Sequence, residues 1–109
     1  MSETIEKLVK TIRSRKGSDV KSSYTSYLFS QGRDYCLKKL KEEISELEQA
    51  IKSSVQPELK TRKPIIHEAA DIIYHLLVTL ESSGVNFDDI ITELKKREGT
   101  SGFEEKKNR

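Results

Sequence analysis

Apolar residues recur every three or four positions along most of this chain, which is the spacing of one buried helical face. The spacing predicts a first helix over about residues 3–14 and a second over about residues 33–53. The first carries its apolar face at Ile5, Leu8, Val9 and Ile12. The second carries a helix-packing seam at Leu37, Leu40, Ile44, Leu47 and Ile51.

A third helix is the most apolar, because the segment from Ile65 to Leu80 leaves little of its circumference polar. Pro64 suits its first turn, where a missing N–H costs no hydrogen bond. Gly84 suits the position just beyond its end at about residue 83. Asn86 then predicts the cap of a fourth helix, which Gly99 ends.

Polar segments connect and follow these helices. Residues 17–32 predict a long loop with a short helical turn at residues 27–29, and loops of this length in compact domains are often functional. Residues 53–63, which include Pro57, predict a polar connection, and residues 100–109 predict a polar C-terminal tail.

The composition predicts a single all-α domain over residues 1–109. Five Gly and two Pro are few for a sandwich or a barrel, and 34% hydrophobic residues suffice for a modest bundle core. A short chain also buries a smaller fraction of its surface than a long one. We therefore expect a helical bundle of about four helices that is completed by homodimerisation.

Charge and cysteine content exclude several classes of protein. The net charge of +2, with acids and bases interspersed, lacks the basic excess of a nucleic-acid-binding protein. The single Cys36 rules out an intramolecular disulfide and a cysteine-rich zinc site. Neither a membrane-spanning apolar run nor a signal-peptide pattern is present. We expect a cytoplasmic protein with no nucleic-acid or membrane partner.

Carboxylates recur at one-turn spacing on the second and third predicted helices. Glu43 and Glu46 flank the apolar stripe of the second helix, with Glu42 further round, whereas Glu68 and Asp71 interrupt the apolar third helix. A carboxylate on a mostly buried helix is costly unless something pairs with it. Converging oxygen ligands from two helices would suit Mg²⁺ or Mn²⁺, and Mg²⁺ usually accompanies phosphates. The alternative is a solvated face with ordinary helix ion pairs.

These motifs together resemble a known superfamily. The motif E-E-x-x-E is followed after 21 residues by the motif E-x-x-D, and this arrangement resembles that of the all-α nucleoside triphosphate pyrophosphohydrolases. The closer resemblance, over nearly the whole chain, is to the phosphoribosyl-ATP pyrophosphohydrolase family of histidine biosynthesis. It is carried by Ser23-Tyr24-Thr25, the run from Lys39 to Glu46, the run from Glu68 to Val78, and the tail from Ser101 to Lys106 with Arg109. Lys41 departs from the family, which more often has Gly there.

The resemblance implies Mg²⁺-dependent hydrolysis of phosphoribosyl-ATP to phosphoribosyl-AMP and pyrophosphate by a homodimer. It also implies that the metal is held by Glu42, Glu43, Glu46, Glu68 and Asp71. A divalent ion neutralises triphosphate charge and lowers the pKa of an attacking water, and an unligated carboxylate, Glu42 or Glu46, accepts the proton. The alternatives are a related hydrolase of canonical or modified nucleoside triphosphates and a non-catalytic helical adaptor.

A triphosphate also requires cations and hydroxyl donors. The candidates for binding phosphate are Arg15, Ser23, Thr25, Lys39, Lys106 and Arg109. Each cation alone also fits a solvated surface position. His75 continues the line of Glu68 and Asp71 by one turn, so it is a candidate hydrogen-bonding partner of a ligating carboxylate. An ordinary hydrogen-bonded histidine is the alternative.

Overall fold

The computed structural model describes residues 2–53 and 59–107, and every regular element in these ranges is an α-helix. The all-α prediction is therefore confirmed, with six helices in the described ranges where about four were predicted. They are α1 (Glu3–Ser14), α2 (Tyr24–Gln31), α3 (Arg33–Lys52), α4 (Leu59–Ser82), α5 (Phe87–Lys96) and α6 (Gly102–Lys107). None of the described helices is long and apolar enough to cross a membrane.

The long helices α3 and α4 pack along each other, and α1, α2 and α5 lie against this pair. One small core joins four of the helices, and it consists of Ile12, Leu28, Cys36, Leu77 and Val78. Leu28 has no exposed surface, and burying such a side chain contributes about 2 kcal/mol. The core therefore fixes α1 and α2 onto the α3–α4 pair.

The prediction of a loop over residues 17–32 is wrong for its second half, because α2 is an eight-residue helix. The Ser23 hydroxyl caps it by accepting a 3.2 Å hydrogen bond from the Ser26 N–H. Ser26 in turn donates its hydroxyl to the Arg15 carbonyl at 3.1 Å, and Leu28 is buried in the core. Contacts with distant residues therefore stabilise a helix that its polar composition does not predict.

The start of α4 also differs from the prediction. The helix begins at Leu59, inside the segment predicted to be a connection, so Pro64 lies within the helix rather than in its first turn. A proline there removes one intrahelical hydrogen bond. Pro64 is exposed, whereas the helix beyond it packs against the core. Pro57 lies outside the described residues.

The end of α4 follows the prediction closely. Gly84 has a φ of +72°, the left-handed conformation that favours glycine. The N–H groups of Gly84 and Val85 donate to the Glu81 and Leu80 carbonyls at 3.1 and 3.0 Å, which satisfies the helix end. Asn86 then caps α5 by accepting a 3.0 Å hydrogen bond from the Asp88 N–H.

An ion pair that the sequence did not predict joins α1 to α4. Glu81 contacts Arg13 at 3.1 Å and Lys16 at 3.2 Å, and its side chain is only 12% exposed. Burial raises the pKa of Glu81, but hydrogen bonds from Arg13 and Lys16 outweigh this effect and lower the pKa below its ordinary value. Two of the N-terminal cations are therefore engaged in holding the fold together.

The predicted apolar seam of the second helix is only partly buried. Leu37, Ile44 and Ile51, spaced seven residues apart on α3, are exposed, as are Ile66 and Ile73 on α4. These five residues are called the apolar stripe below. The chain exposes 8228 Å², whereas a compact protein of this mass exposes about 6,200 Å². The stripe accounts for part of this excess, because no element among residues 2–53 and 59–107 covers it.

The tail contains a short helix, α6, where only a polar segment was predicted. The Ser101 hydroxyl accepts a 3.1 Å hydrogen bond from the Glu104 N–H at the start of this helix. Phe103 is 89% exposed, and Lys106 is also exposed. Arg109 lies outside the described residues.

Candidate active site

The packing of α3 against α4 brings three carboxylates together. Glu43 and Glu46 lie one turn apart on α3, and Glu68 faces them from α4. One oxygen from each lies within 4.8 Å of the others. This arrangement gathers oxygen donors from two helices around one position, as a divalent cation requires.

A second group of donors adjoins the first. His67, Glu68 and Asp71 on α4 also place one atom each within 4.8 Å of one another, so Glu68 belongs to both groups. His67 Nε2 lies 3.3 Å from Asp71 Oδ2. The two residues lie one helical turn apart on α4, which places their side chains next to each other.

The electrostatics of the first group indicate uncompensated negative charge. Burial, followed by contact with Glu46 and the charges of Asp71 and Glu68, raises the pKa of Glu43 to about 7. Burial and contact with Glu46 likewise raise the pKa of Glu68. Oε2 of Glu43 and Oε2 of Glu68 are both buried without a hydrogen-bond partner in the described part of the chain. A divalent cation would relieve the repulsion and satisfy these oxygens, so the residues fit such an ion.

His75 lies directly behind this group. Its side chain is 7% exposed, and its Nε2 lies 3.8 Å from Glu43 Oε1. Burial lowers the pKa of His75, and this effect outweighs the opposing influence of Asp71. Burial therefore favours the neutral form of the imidazole beside Glu43.

Glu42 lies outside both donor groups. Its Oε2 contacts Lys39 Nζ at 3.2 Å, and Lys39 Nζ also lies 5.4 Å from the centre of the Tyr35 ring. Contact with Glu42 raises the pKa of Lys39. The Lys39–Glu42 pair forms a partly exposed rim beside the acids, and Lys39 is the cation on this rim.

The hydroxyl candidates have structural partners. Ser23 caps α2, and Thr25 Oγ1 forms a 2.5 Å hydrogen bond with the Tyr74 hydroxyl. Arg15, at the end of α1, and Lys106, on α6, are exposed, and neither forms an ion pair within the described ranges. Binding of phosphate by these groups stays a prediction.

Sequence reasoning missed an aromatic group beside the acids. The rings of Tyr24, Tyr27, Tyr35 and Tyr74 form a contiguous set, with ring centres between 6.1 and 6.4 Å apart for each contacting pair. The signal in the sequence was the spacing of Tyr24 and Tyr27, three residues apart in a segment that was assigned to a loop.

An all-α chain with a cluster of carboxylates between two long helices fits the class of helical bundles that hold a divalent cation through side chains of facing helices. Comparison with known proteins gives the family. Residues 5–98 match the family model of phosphoribosyl-ATP pyrophosphohydrolase. The chain belongs to the phosphoribosyl-ATP pyrophosphohydrolase family, as the sequence motifs predicted.

Individual relatives agree with this assignment. The phosphoribosyl-ATP pyrophosphatase of Dechloromonas aromatica is 40% identical over 107 residues, covering 98% of this chain and 94% of that protein. The enzyme of the same name from Lactiplantibacillus plantarum is 44% identical over 97 residues, covering 89% and 86%. The histidine biosynthesis bifunctional protein HisIE of Wolinella succinogenes is 43% identical over 105 residues, and the match spans 43% of its length. The predicted enzyme class, a hydrolase, is therefore confirmed.

The acid cluster predicts a pH-dependent stability when no divalent cation is available. Because the folded chain holds the Glu43 proton more tightly than the unfolded chain does, the resulting stability is complete below the ordinary pKa of 4.5. It is lost as the pH rises through about 7. In the presence of a chelator, the melting temperature of the wild type should decrease as the pH rises from 4.5 to about 7. The decrease should be smaller in Glu43→Gln.

The control for this measurement is Glu48→Gln, because Glu48 is exposed and pairs only with Lys52 at 3.6 Å among the described contacts. Its pH profile should match that of the wild type. If the melting temperature changed equally with pH in the wild type and in Glu43→Gln, the assignment of repulsion to the cluster would be contradicted.

Proposed function

We propose that this chain catalyses the Mg²⁺-dependent hydrolysis of phosphoribosyl-ATP to phosphoribosyl-AMP and pyrophosphate in histidine biosynthesis. The observation that carries the proposal is the family match over residues 5–98, which includes both carboxylate helices. The substrate named for the relatives is a triphosphate, so breaking its α–β anhydride requires charge neutralisation at the site. The cytoplasmic location stays a prediction.

The metal would be held by Glu43, Glu46 and Glu68, with Asp71 adjoining through the second donor group. Carboxylate oxygens favour Mg²⁺, and Mn²⁺ is the alternative because His67 adds a nitrogen donor next to Asp71. When bound, the ion neutralises charge on the triphosphate and lowers the pKa of the attacking water. His75 Nε2 lies 3.8 Å from Glu43 Oε1, so a small closure around the ion would let the imidazole donate a hydrogen bond that orients this carboxylate.

The proton of the attacking water requires an acceptor that is not itself a ligand. Glu42 and Glu46 are the two candidates, and Glu42 is the one that lies outside both donor groups. Glu46 contacts Glu43 and Glu68 within the cluster, which suits a ligand better than a base. We therefore assign proton acceptance to Glu42 and metal binding to Glu46.

Binding of the phosphates would fall first to Lys39, because its ammonium group lies on the rim of the acid cluster. Arg15 and the tail cations Lys106 and Arg109 would complete the positive surface around the leaving pyrophosphate. Ser23 and Thr25 would act at the same end through hydroxyl donors, in addition to positioning α2.

The proposal is tested by measuring pyrophosphate release from phosphoribosyl-ATP and from a panel of deoxynucleoside triphosphates, with Mg²⁺ and with a chelator. We expect phosphoribosyl-ATP to be the preferred substrate and the chelator to abolish turnover. Faster turnover of any deoxynucleoside triphosphate would overturn the assigned substrate and favour a pool-cleaning hydrolase.

The matched variant is Glu43→Gln, which should lower turnover by roughly 100-fold or more by removing a ligand of the ion. It should keep the helical circular-dichroism signal of the wild type and lose the rise in melting temperature that Mg²⁺ produces. A non-catalytic adaptor would instead show no Mg²⁺ response in either protein.

We also propose that two copies of the chain pair through the apolar stripe. At 100° per residue, the centre of the row formed by Leu37, Ile44 and Ile51 lies about 160° round α3 from Glu46 and about 100° from Glu43. A second copy would therefore cover the stripe while leaving the acid-bearing face of the helix open. The large exposed area of the single chain supports this proposal, since burying apolar surface drives association.

Sedimentation should show a wild-type particle of twice the chain mass. Ile44→Glu should shift it to the monomer, because the substitution places a charge in the centre of the stripe. Leu94→Glu is the control, since Leu94 is also exposed but lies on α5 outside the stripe, and it should leave the dimer intact. A monomeric wild type, or equal dissociation by both variants, would contradict the proposal.

A further inference from the structure

The aromatic group beside the acids has an exposed member that packing does not require. Tyr24 lies in offset stacking with Tyr27 and with Tyr74, at ring-centre distances of 6.3 and 6.4 Å and interplanar angles of 24° and 22°. Tyr74 packs against the core, whereas Tyr24 keeps 52% of its surface exposed. Tyr24 lies between the other two rings, and Tyr27 is also exposed, so Tyr24 and Tyr27 together form an aromatic surface that is open to water.

The residues on either side of Tyr24 hold it in this position. Ser23 caps α2 from the preceding position, and Thr25 binds the Tyr74 hydroxyl from the following one. Tyr24 is the first residue of α2, so its backbone is fixed by both contacts. A ring held in advance loses little conformational freedom when a ligand stacks on it.

The surface adjoins the acid cluster through a single side chain. The Tyr24 ring lies 6.1 Å from the His75 ring at an angle of 81°, and His75 Nε2 lies 3.8 Å from Glu43 Oε1. Lys39, the cation on the rim, lies over the neighbouring Tyr35 ring. The aromatic surface therefore adjoins the acid cluster through His75 and adjoins a cation through Tyr35.

These neighbouring groups match the parts of a nucleotide, which combines a flat base with a phosphate chain that is bound through cations. We propose that Tyr24, supported by Tyr27 and Tyr74, is the surface on which the purine ring of the substrate stacks while its phosphates reach the acid cluster. Stacking on an aromatic side chain is a general means of holding a base. The inference rests on the proposed function and adds a binding residue for the base.

Charge at the rim favours a nucleotide over an apolar occupant. Glu42 and Lys39 border the ring surface, and Glu43 lies behind His75. A lipid or an apolar peptide would leave these charges without water or partners, which is costly. A nucleotide places its phosphates and metal ion among the charges and its base on the rings.

The test measures binding rather than turnover, with AMP and ribose 5-phosphate as probes in the presence of Mg²⁺. The two probes share the sugar and the phosphate and differ by the base. By calorimetry the wild type should bind AMP more tightly than ribose 5-phosphate. Tyr24→Leu should weaken AMP binding by roughly tenfold and leave ribose 5-phosphate binding unchanged, because only the base loses its stacking partner.

Tyr24→Phe is the matched variant, because it keeps the ring and removes only the hydroxyl, and it should bind AMP nearly as the wild type does. Three results would overturn the inference: equal binding of the two probes by the wild type, unchanged AMP binding in Tyr24→Leu, or equal weakening of both probes. The proposed function fails separately, through the absence of phosphoribosyl-ATP hydrolysis in the wild type.

Discussion

The repulsion among carboxylates gathered between α3 and α4 is the constraint on which the rest of the structure depends. Glu43, Glu46 and Glu68 would separate if the helices carrying them were not held together. The raised pKa of Glu43 and the unpartnered oxygens of Glu43 and Glu68 are direct consequences of holding them in place. A bound cation would relieve this repulsion, and the family match assigns pyrophosphohydrolase chemistry to the chain as a whole.

A small apolar core and a few ion pairs hold the helices together against this repulsion. A core of five buried side chains joins α1 and α2 to the long helices, and the ion pairs of Glu81 join α1 to α4. The same two helices also carry the apolar stripe, so pairing of two chains would add the apolar burial that one chain lacks.

The sequence predicted the parts of the fold that depend on local pattern. The apolar run after Pro64 predicted α4, and the glycine at its end was placed correctly because only local geometry is involved. Glu68 and Asp71 stood out because charge within an apolar helix is unusual. The pairing of Glu68 with Glu43 and Glu46 followed from the expectation that the two helices pack together.

The remaining features depend on contacts between distant residues. Two hydrogen bonds stabilise the position of α2: the Ser26 hydroxyl donates to the Arg15 carbonyl, and the Thr25 and Tyr74 hydroxyls bond to each other. No local pattern in the sequence predicts either contact. The helical period places Ile44 on an apolar face of the helix, but it does not predict which element covers that face. The position of Tyr24 next to His75 likewise requires the tertiary fold, so the aromatic surface became visible only in the structure.

The most direct test of a metal site between α3 and α4 is anomalous diffraction from a crystal of this protein soaked in Mn²⁺. The account predicts an anomalous peak within roughly 2.5 Å of carboxylate oxygens of Glu43, Glu46 and Glu68. An absence of any peak between the two helices, with manganese bound elsewhere or not at all, would contradict it.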